Sequence, residues 1–348
     1  MTSAPAIADP PAGDTPNRSA DPAAAQFVPS RATCLLRFLG WCVIGTLAAF
    51  LCNVYLNFWQ GWPGASQAFA AQADARAPLQ LGIWVLAVVL SALFVMLRPR
   101  RSLRADAAVM TAIAAYIVRA AFWTVLLVGL ADAAVSFLRV EDLLPRLVGE
   151  QLAADLGRNQ FRGPNLHLPL IVLSFLLAFY ARTLGFTWLA MLVVVAELQI
   201  VIARFMFSYE QAFMGDLVRF WYAGLFLFAS AYTLIEDGHV RVDVLYHGFS
   251  QRWRGMVNAI GSMVLGLPLC WVILVIGLGH KTSIITSPLV TLEVTQSGFG
   301  MYVKYLMAAQ LAVFAVSMSV QFAGYFLTGI ADYRGDPGGQ PSAPAAAH

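Results

Sequence analysis

The sequence predicts an all-α integral membrane protein with about eight transmembrane helices, and two observations support this. Of its 348 residues, 59% are hydrophobic and only 12% are charged, whereas about 25% of residues in a soluble domain are charged. The apolar residues also fall into runs of about 20, the length that a helix needs to cross a bilayer core. Helices are expected because backbone polar groups in lipid must be satisfied within the segment.

The elements follow one another between two polar tails. Residues 1–33 and 331–348 are rich in alanine and proline and predict disordered tails. Between them lie eight apolar runs, at 35–58, 79–97, 107–130, 168–182, 186–207, 217–235, 256–278 and 302–327. The fourth and fifth runs are joined only by ARTLGF, where Gly185 permits a tight turn.

The distribution of arginine predicts the orientation, because short cytoplasmic loops are enriched in Lys and Arg. An even number of spans places both tails on one side, and ten arginines collect there: Arg31, Arg37, Arg98, Arg100, Arg101, Arg104, Arg182, Arg241, Arg252 and Arg254. Both termini are therefore predicted to be cytoplasmic. The net charge of +3 is too small to suggest a nucleic-acid surface. The four cysteines are interpreted as free thiols within helices.

The long loop after the third run carries apolar residues at helical spacing. They are Val140, Leu143, Leu144, Leu147, Val148, Leu152 and Leu156. This pattern predicts an amphipathic helix near residues 140–157 on the periplasmic membrane surface. The helix is interpreted either as a connector that rests on lipid or as a docking surface for a partner.

A dense polar cluster, LIEDGHVRVDVLY, follows the sixth run at the predicted cytoplasmic face. Gly238 is a helix-ending signal, and His239, Arg241 and Asp243 would share one face if the segment is extended. Alternatively, Asp243 caps a short interfacial helix. A simple positive-inside anchor would explain Arg241 but not Asp243. The pattern favours a structural or partner-binding role.

Four motifs together resemble the small permease subunit of tripartite ATP-independent periplasmic (TRAP) transporters. The first is EDGHVRVDVLY followed by SQRWRGMVNAIGSMVLGLPLCWVIL. The others are ARFMF, which contains Arg204, MGDLVRFWYAGLFL, which contains Asp216, and TLEVTQSGFGMYVKYLMAAQ, which contains Glu293, Lys304 and Gln310. The resemblance covers residues 186–330, a four-helix domain. Residues 34–185 form an added membrane region that the family pattern does not explain.

The resemblance implies a transport function without catalysis or cofactor. In this family, the small subunit holds a large permease subunit, which carries the substrate and sodium sites, and a periplasmic solute-binding protein delivers the solute. An ion gradient drives uptake, and an organic acid is the expected substrate. The motif residues would then be structural or lie at a partner interface. The sequence agrees, since it contains no phosphate-binding GxxxxGK[ST] loop.

Ionisable residues inside membrane spans are functional candidates by default. Arg119 lies in the third run, Glu197 in the fifth, and Asp132 near the outer end of the third. An Arg119–Glu197 ion pair would join the added region to the four-helix domain. Alternatively, each residue faces a water-filled crevice or a partner separately.

Two other classes of function would place different demands on the sequence. A scaffold or anchor subunit of a redox complex that binds haem needs inward-facing histidines, and the histidines here lie at helix ends or in loops. A channel or carrier that works alone needs a polar route or broken helices, and Pro268 is the one proline inside a span of the four-helix domain.

Overall fold

The computed structural model describes residues 30–70, 74–181, 186–235, 246, 248–294 and 299–338. These residues form eight helices that are long and apolar enough to cross a membrane, and the described ranges contain no strand. The predicted fold class is confirmed. The helices are α1 (Arg31–Phe58), α2 (Arg76–Leu97), α3 (Leu103–Val140), α4 (Leu144–Val148), α5 (Glu150–Leu156), α6 (Asn159–Tyr180), α7 (Phe186–Phe207), α8 (Ala212–Ile235), α9 (Gln251–Leu278), α10 (Thr286–Thr291) and α11 (Lys304–Arg334).

The two longest spanning helices, α3 and α11, extend beyond their apolar runs. Helix α3 has 38 residues, and it begins where the Ser102 side chain accepts a hydrogen bond from the Ala105 backbone N–H. Helix α11 has 31 residues and ends at Gly335, whose φ of 71° is a common helix terminus for glycine. Terminal turns with polar residues, at both ends of α3 and at the end of α11, lie outside the apolar runs that hydropathy identifies.

The predicted amphipathic helix at residues 140–157 is instead two short helices, α4 and α5. They meet at Gly149, whose φ of 84° is incompatible with a continuous right-handed helix. Leu144 and Ala153 are buried, while Leu147 and Leu152 are exposed. The apolar stripe is therefore divided between packing against the protein and exposure at its surface.

Helices α3 and α11 form the centre of the bundle. They pack against each other, and α3 also packs against α6 and α8, while α11 also packs against α1, α8 and α9. Helix α2 packs against α1, and α7 packs against α8. The first six helices therefore join the last five through α3 and α11, with many of the buried apolar residues between them.

Two glycines bring α9 and α11 into backbone contact. A Cβ atom added to Gly255 would lie 2.5 Å from the carbonyl oxygen of Gly329, and one added to Gly329 would lie 2.6 Å from that of Gly255. Small residues let membrane helices approach this closely and gain van der Waals packing. The contact fixes the spacing of the two helices at the arginine-rich end of the bundle.

Candidate functional site

Asp132, near the end of α3, is the centre of a buried polar cluster. Its Oδ1 atom lies 2.9 Å from Nη1 of Arg162 and 2.9 Å from Nε2 of His167. The side chains of all three residues are fully buried. On its other side, Nδ1 of His167 lies 2.7 Å from the hydroxyl oxygen of Tyr305 in α11. The cluster joins three helices that are distant in sequence: α3, α6 and α11.

Arg162 and His167 are placed by an irregular first turn of α6. Residues 163–167 form a π-helical turn just before Pro169, and a proline lacks the backbone N–H that a regular turn would use. Arg162 Nε donates to the Leu156 carbonyl oxygen at 2.8 Å. Its guanidinium carbon lies 4.0 Å from the centre of the Tyr302 ring, within cation–π range.

Tyr302 connects this cluster to the loop that precedes α11. Its hydroxyl donates to the Gly157 carbonyl oxygen at 2.7 Å and accepts a hydrogen bond from Arg139 Nη1 at 2.6 Å. Its backbone N–H donates to Asp132 Oδ2 at 2.6 Å. The neighbouring N–H of Met301 donates to Asp216 Oδ2 in α8 at 3.0 Å. The start of α11 is thus held by carboxylates from α3 and α8.

Two further contacts join α3 to the later helices. The indole N–H of Trp221 in α8 donates to the Val125 carbonyl oxygen at 3.0 Å, beside Gly129, where the lack of a side chain leaves room for the ring. In the loop between α7 and α8, the Tyr209 hydroxyl donates to Glu141 Oε1 at 2.7 Å. Burial of the phenol and this hydrogen bond raise the pKa of Tyr209 to about 12.

A second buried ion pair lies at the other end of α3. Asp106 accepts hydrogen bonds from Arg37 Nε at 2.7 Å and from the Trp41 indole at 3.1 Å, and Arg101 Nε lies 2.9 Å from its other oxygen. Nearby, Arg104 forms an ion pair with Asp332 of α11 at 2.7 Å. Both ends of α3 are therefore fixed by paired charges, which are stable in a low-dielectric interior only when paired.

Four predicted site residues, Lys304, Glu293, Gln310 and Arg204, form contacts within the later part of the chain. Lys304 forms an ion pair with Glu293 at the start of α11. Gln310, also in α11, donates through Nε2 to the Phe220 carbonyl oxygen in α8 at 3.4 Å. Arg204, at the end of α7, lies 3.5 Å from the exposed Glu210. With Asp216, these residues fix the ends of α7, α8 and α11.

Comparison with protein families identifies the region that contains these residues. Residues 190–331 match the family model described as Tripartite ATP-independent periplasmic transporters, DctQ component. The similarity is to this region of the chain, which we call the DctQ domain. The DctQ domain thus covers nearly all of α7 and most of α11, and α1–α6 lie outside the match. The expected resemblance and the additional N-terminal helices are confirmed. No curated protein and no solved structure matches the chain.

The predicted ion pair between the added region and the DctQ domain is not formed. Arg119 is half-buried in α3, and its Nε donates to the Ala178 carbonyl oxygen in α6 at 3.4 Å. Glu197 is exposed on α7, and α7 packs against α8. The two regions are joined instead through Asp132, Arg162, His167, Tyr302 and Tyr305.

The polar cluster of Gly238, His239, Arg241 and Asp243 lies outside the described residues. Its proposed role therefore stays a prediction. The flanking helices are described, and α8 ends at Ile235 while α9 begins at Gln251. The segment thus connects two helices of the DctQ domain.

The cluster around Asp132 was missed by the sequence analysis because its members come from distant parts of the chain. Asp132 was recognised only as a charged residue near the end of a span, and His167 only as one near a helix end. The sequence does contain one signal for this cluster. Arg162 and His167 begin the spanning helix that follows the span of Asp132, so all three residues are expected at the same membrane face.

Among the described residues, no group of His, Cys, Asp and Glu could hold a metal ion.

Proposed function

We propose that this chain is the small membrane subunit of a TRAP-type uptake system and that it holds a large permease subunit carrying the substrate and sodium sites. A periplasmic solute-binding protein would deliver the solute, an organic acid, and a sodium gradient would drive its uptake. The observation that carries this proposal is the DctQ match over residues 190–331.

A scaffolding role is supported by how the DctQ domain uses its polar residues. Asp216 accepts a hydrogen bond from the Met301 backbone N–H. Gln310 donates one to the Phe220 carbonyl oxygen, and Lys304 forms an ion pair with Glu293. Each of these groups stabilises a junction between elements of the domain itself. A rigid domain of this kind suits a subunit that stays still while its partner moves.

The added helices would enlarge this scaffold. They are joined to the DctQ domain by the cluster around Asp132 near one end of α3 and by the Arg104–Asp332 pair at the other. Across this joint, Asp132 accepts a hydrogen bond from the Tyr302 backbone N–H, and His167 Nδ1 lies 2.7 Å from the Tyr305 hydroxyl. Losing one of these buried hydrogen bonds leaves a polar group unsatisfied at a cost of about 1–3 kcal/mol, so the joint resists separation. We propose that residues 34–185 and 186–330 act as one body in the inner membrane, with both termini cytoplasmic.

Co-expression with a large TRAP permease subunit of the same organism tests the proposal. The two chains should co-purify in mild detergent, and sodium-driven uptake of an organic acid into liposomes should need both chains and the binding protein. This chain alone and the large permease alone are the controls. Sodium-driven uptake by this chain alone, or failure of the two chains to associate, would contradict the proposal.

The alternative function, a scaffold or anchor subunit of a redox complex, is distinguished by an absorbance spectrum. Such a subunit commonly binds haem through histidine. Both ring nitrogens of His167 already have protein partners, Asp132 and Tyr305. We expect the purified chain to show no haem absorbance, and a haem band would favour the alternative.

A further inference from the structure

Glu197 places a carboxyl group on the outer surface of a membrane span. It lies near the middle of α7, with about 11 residues or 16 Å of helix toward either end. It is exposed and forms no hydrogen bond or ion pair within the part of the chain that the structure describes. A carboxyl group at this depth is costly in lipid and is normally paired or directed into a polar interior. The residues that the structure describes supply no such partner.

The position of Glu197 around α7 shows which side it faces. Ala196 is buried against the domain, and Val195 and Gln199 line an apolar groove that also includes Phe137 of α3. Successive residues of a helix turn by about 100°. Glu197 therefore lies on the flank of α7 opposite the flank that faces α3. Val194 and Val201 flank it there and are both exposed.

Helix α8 exposes a matching strip on the same side of the domain. Trp221 and Gly224 face α3, whereas Arg219, Tyr222 and Phe226 are exposed on the side turned away from it. Tyr222 lies in the middle of α8, and its hydroxyl has no hydrogen-bond partner among the described residues. Glu197 and Tyr222 thus lie at mid-membrane depth on this side, and Arg219 on the same side of α8 forms an ion pair with Asp216 of its own helix.

We propose that this surface, formed by Val194, Glu197 and Val201 of α7 with Tyr222 and Phe226 of α8, docks a transmembrane helix of the large permease subunit. The docked helix would present a basic or other hydrogen-bond-donating side chain to Glu197 at mid-membrane depth. Charge complementarity selects this occupant, because a lipid tail offers no donor and a second copy of this surface would bring two carboxyl groups together. This inference rests on the proposed function and adds which face of the DctQ domain contacts the large permease.

The added helices support the choice of face. They cover the DctQ domain on the side of α3, and Asp132 and His167 contact Tyr302 and Tyr305 there. That side is therefore already occupied by the chain itself. The surface with Glu197 lies opposite and remains accessible to another subunit in the membrane.

A pair of matched variants tests the role of the carboxyl group. Glu197→Leu should lower the yield of large permease co-purified with this chain at least about tenfold, because the partner's donor is left unpaired. Gln199→Leu is the control, since Gln199 is a polar residue at the same depth on the opposite flank. It should change the yield less than about twofold, with unchanged amounts of this chain in the membrane. Equal effects of the two substitutions would overturn the proposal.

Site-specific photo-cross-linking locates the surface independently of any loss of assembly. A photoreactive residue at Val194 or Val201 should cross-link to the large permease, and one at Ile202, which lines the groove toward α3, should not. If the subunits co-purify but cross-link only from Ile202, the face is wrong and the proposed function stands. If they never co-purify, the proposed function itself fails. Cross-links to a second copy of this chain, or to lipid alone, would overturn the docking proposal.

Discussion

Asp132 and Asp216 accept hydrogen bonds from two consecutive backbone N–H groups, those of Tyr302 and Met301. Asp132 belongs to α3 in the added region, and Asp216 belongs to α8 in the DctQ domain. The segment that leads into α11 is therefore held from both sides. A change at either carboxylate releases one of these two adjacent peptide groups, so the stability of the two regions is coupled.

Substitution of Asp132 should destabilise the whole bundle. Asp132→Asn keeps the size of the side chain but leaves Arg162 without a charged partner in a fully buried site, which costs about 3–5 kcal/mol. We expect a clear fall in the temperature at which the detergent-solubilised chain loses its folded, monodisperse form. Glu150→Gln at an exposed position is the control and should have little effect. Equal melting of the two variants would show that the cluster does not hold the regions together.

A side chain at Gly255 should separate α9 from α11. Gly255→Leu would place its Cβ atom 2.5 Å from the Gly329 carbonyl oxygen, a distance that forces the helices apart. We expect a strong loss of folded protein, measured by size-exclusion chromatography with a fluorescent fusion. Gly261→Ala in the same helix meets no atom within 4 Å, and this control should fold normally. Normal folding of Gly255→Leu would contradict the close helix contact.

Cysteine labelling tests the predicted orientation. In a cysteine-free background, cysteines at Ser102 and Ser250 should be protected from an impermeant reagent added outside the membrane, whereas one at Gln160 should react. The structure agrees in one respect, since Ser102 and Ser250 precede α3 and α9 at the arginine-rich end and Gln160 begins α6 at the other. The reverse labelling pattern would place the termini outside.

Substitutions at Arg241 and Asp243 test the role of the loop between α8 and α9. If they form a partly buried pair at the cytoplasmic end of the DctQ domain, Arg241→Ala should lower the yield of assembled transporter several-fold. Arg241→Lys should restore it only in part because lysine lacks the planar guanidinium group. Complete restoration by lysine, together with an unaffected Asp243→Asn variant, would reduce the cluster to a signal for membrane orientation.

The sequence predicts the helices of this protein far better than their contacts. All eight spans follow from hydropathy, because the bilayer requires continuous apolar helices and leaves few alternatives. The short helices α4 and α5 were predicted as one, since the amphipathic period continues through Gly149 while its backbone does not. Contacts such as Asp132 with Arg162 depend on how α3 and α6 are rotated, which hydropathy does not specify.

The same limit explains the wrong pairing of Arg119 with Glu197. Both residues lie in the interior of apolar spans, and neutralisation of charge in lipid made their pairing reasonable. Depth in the membrane does not determine which way a side chain faces, and α7 turns Glu197 away from α3. The motif residues Asp216, Glu293, Lys304 and Gln310 were predicted as a group from the family resemblance, and their partners became visible only in the fold.

The position of α11 has a consequence for the order in which the chain is made. This last helix supplies the Tyr305 hydroxyl, which lies beside His167. The segment just before it supplies the Tyr302 N–H, which donates a hydrogen bond to Asp132. During translation, the first six helices enter the membrane well before either group exists. The cluster around Asp132 is therefore incomplete until α11 has been synthesised. A nascent protein that stops before α11 would leave Asp132 Oδ2 without the Tyr302 N–H and His167 without the Tyr305 hydroxyl, and it should be a preferred target of membrane proteases.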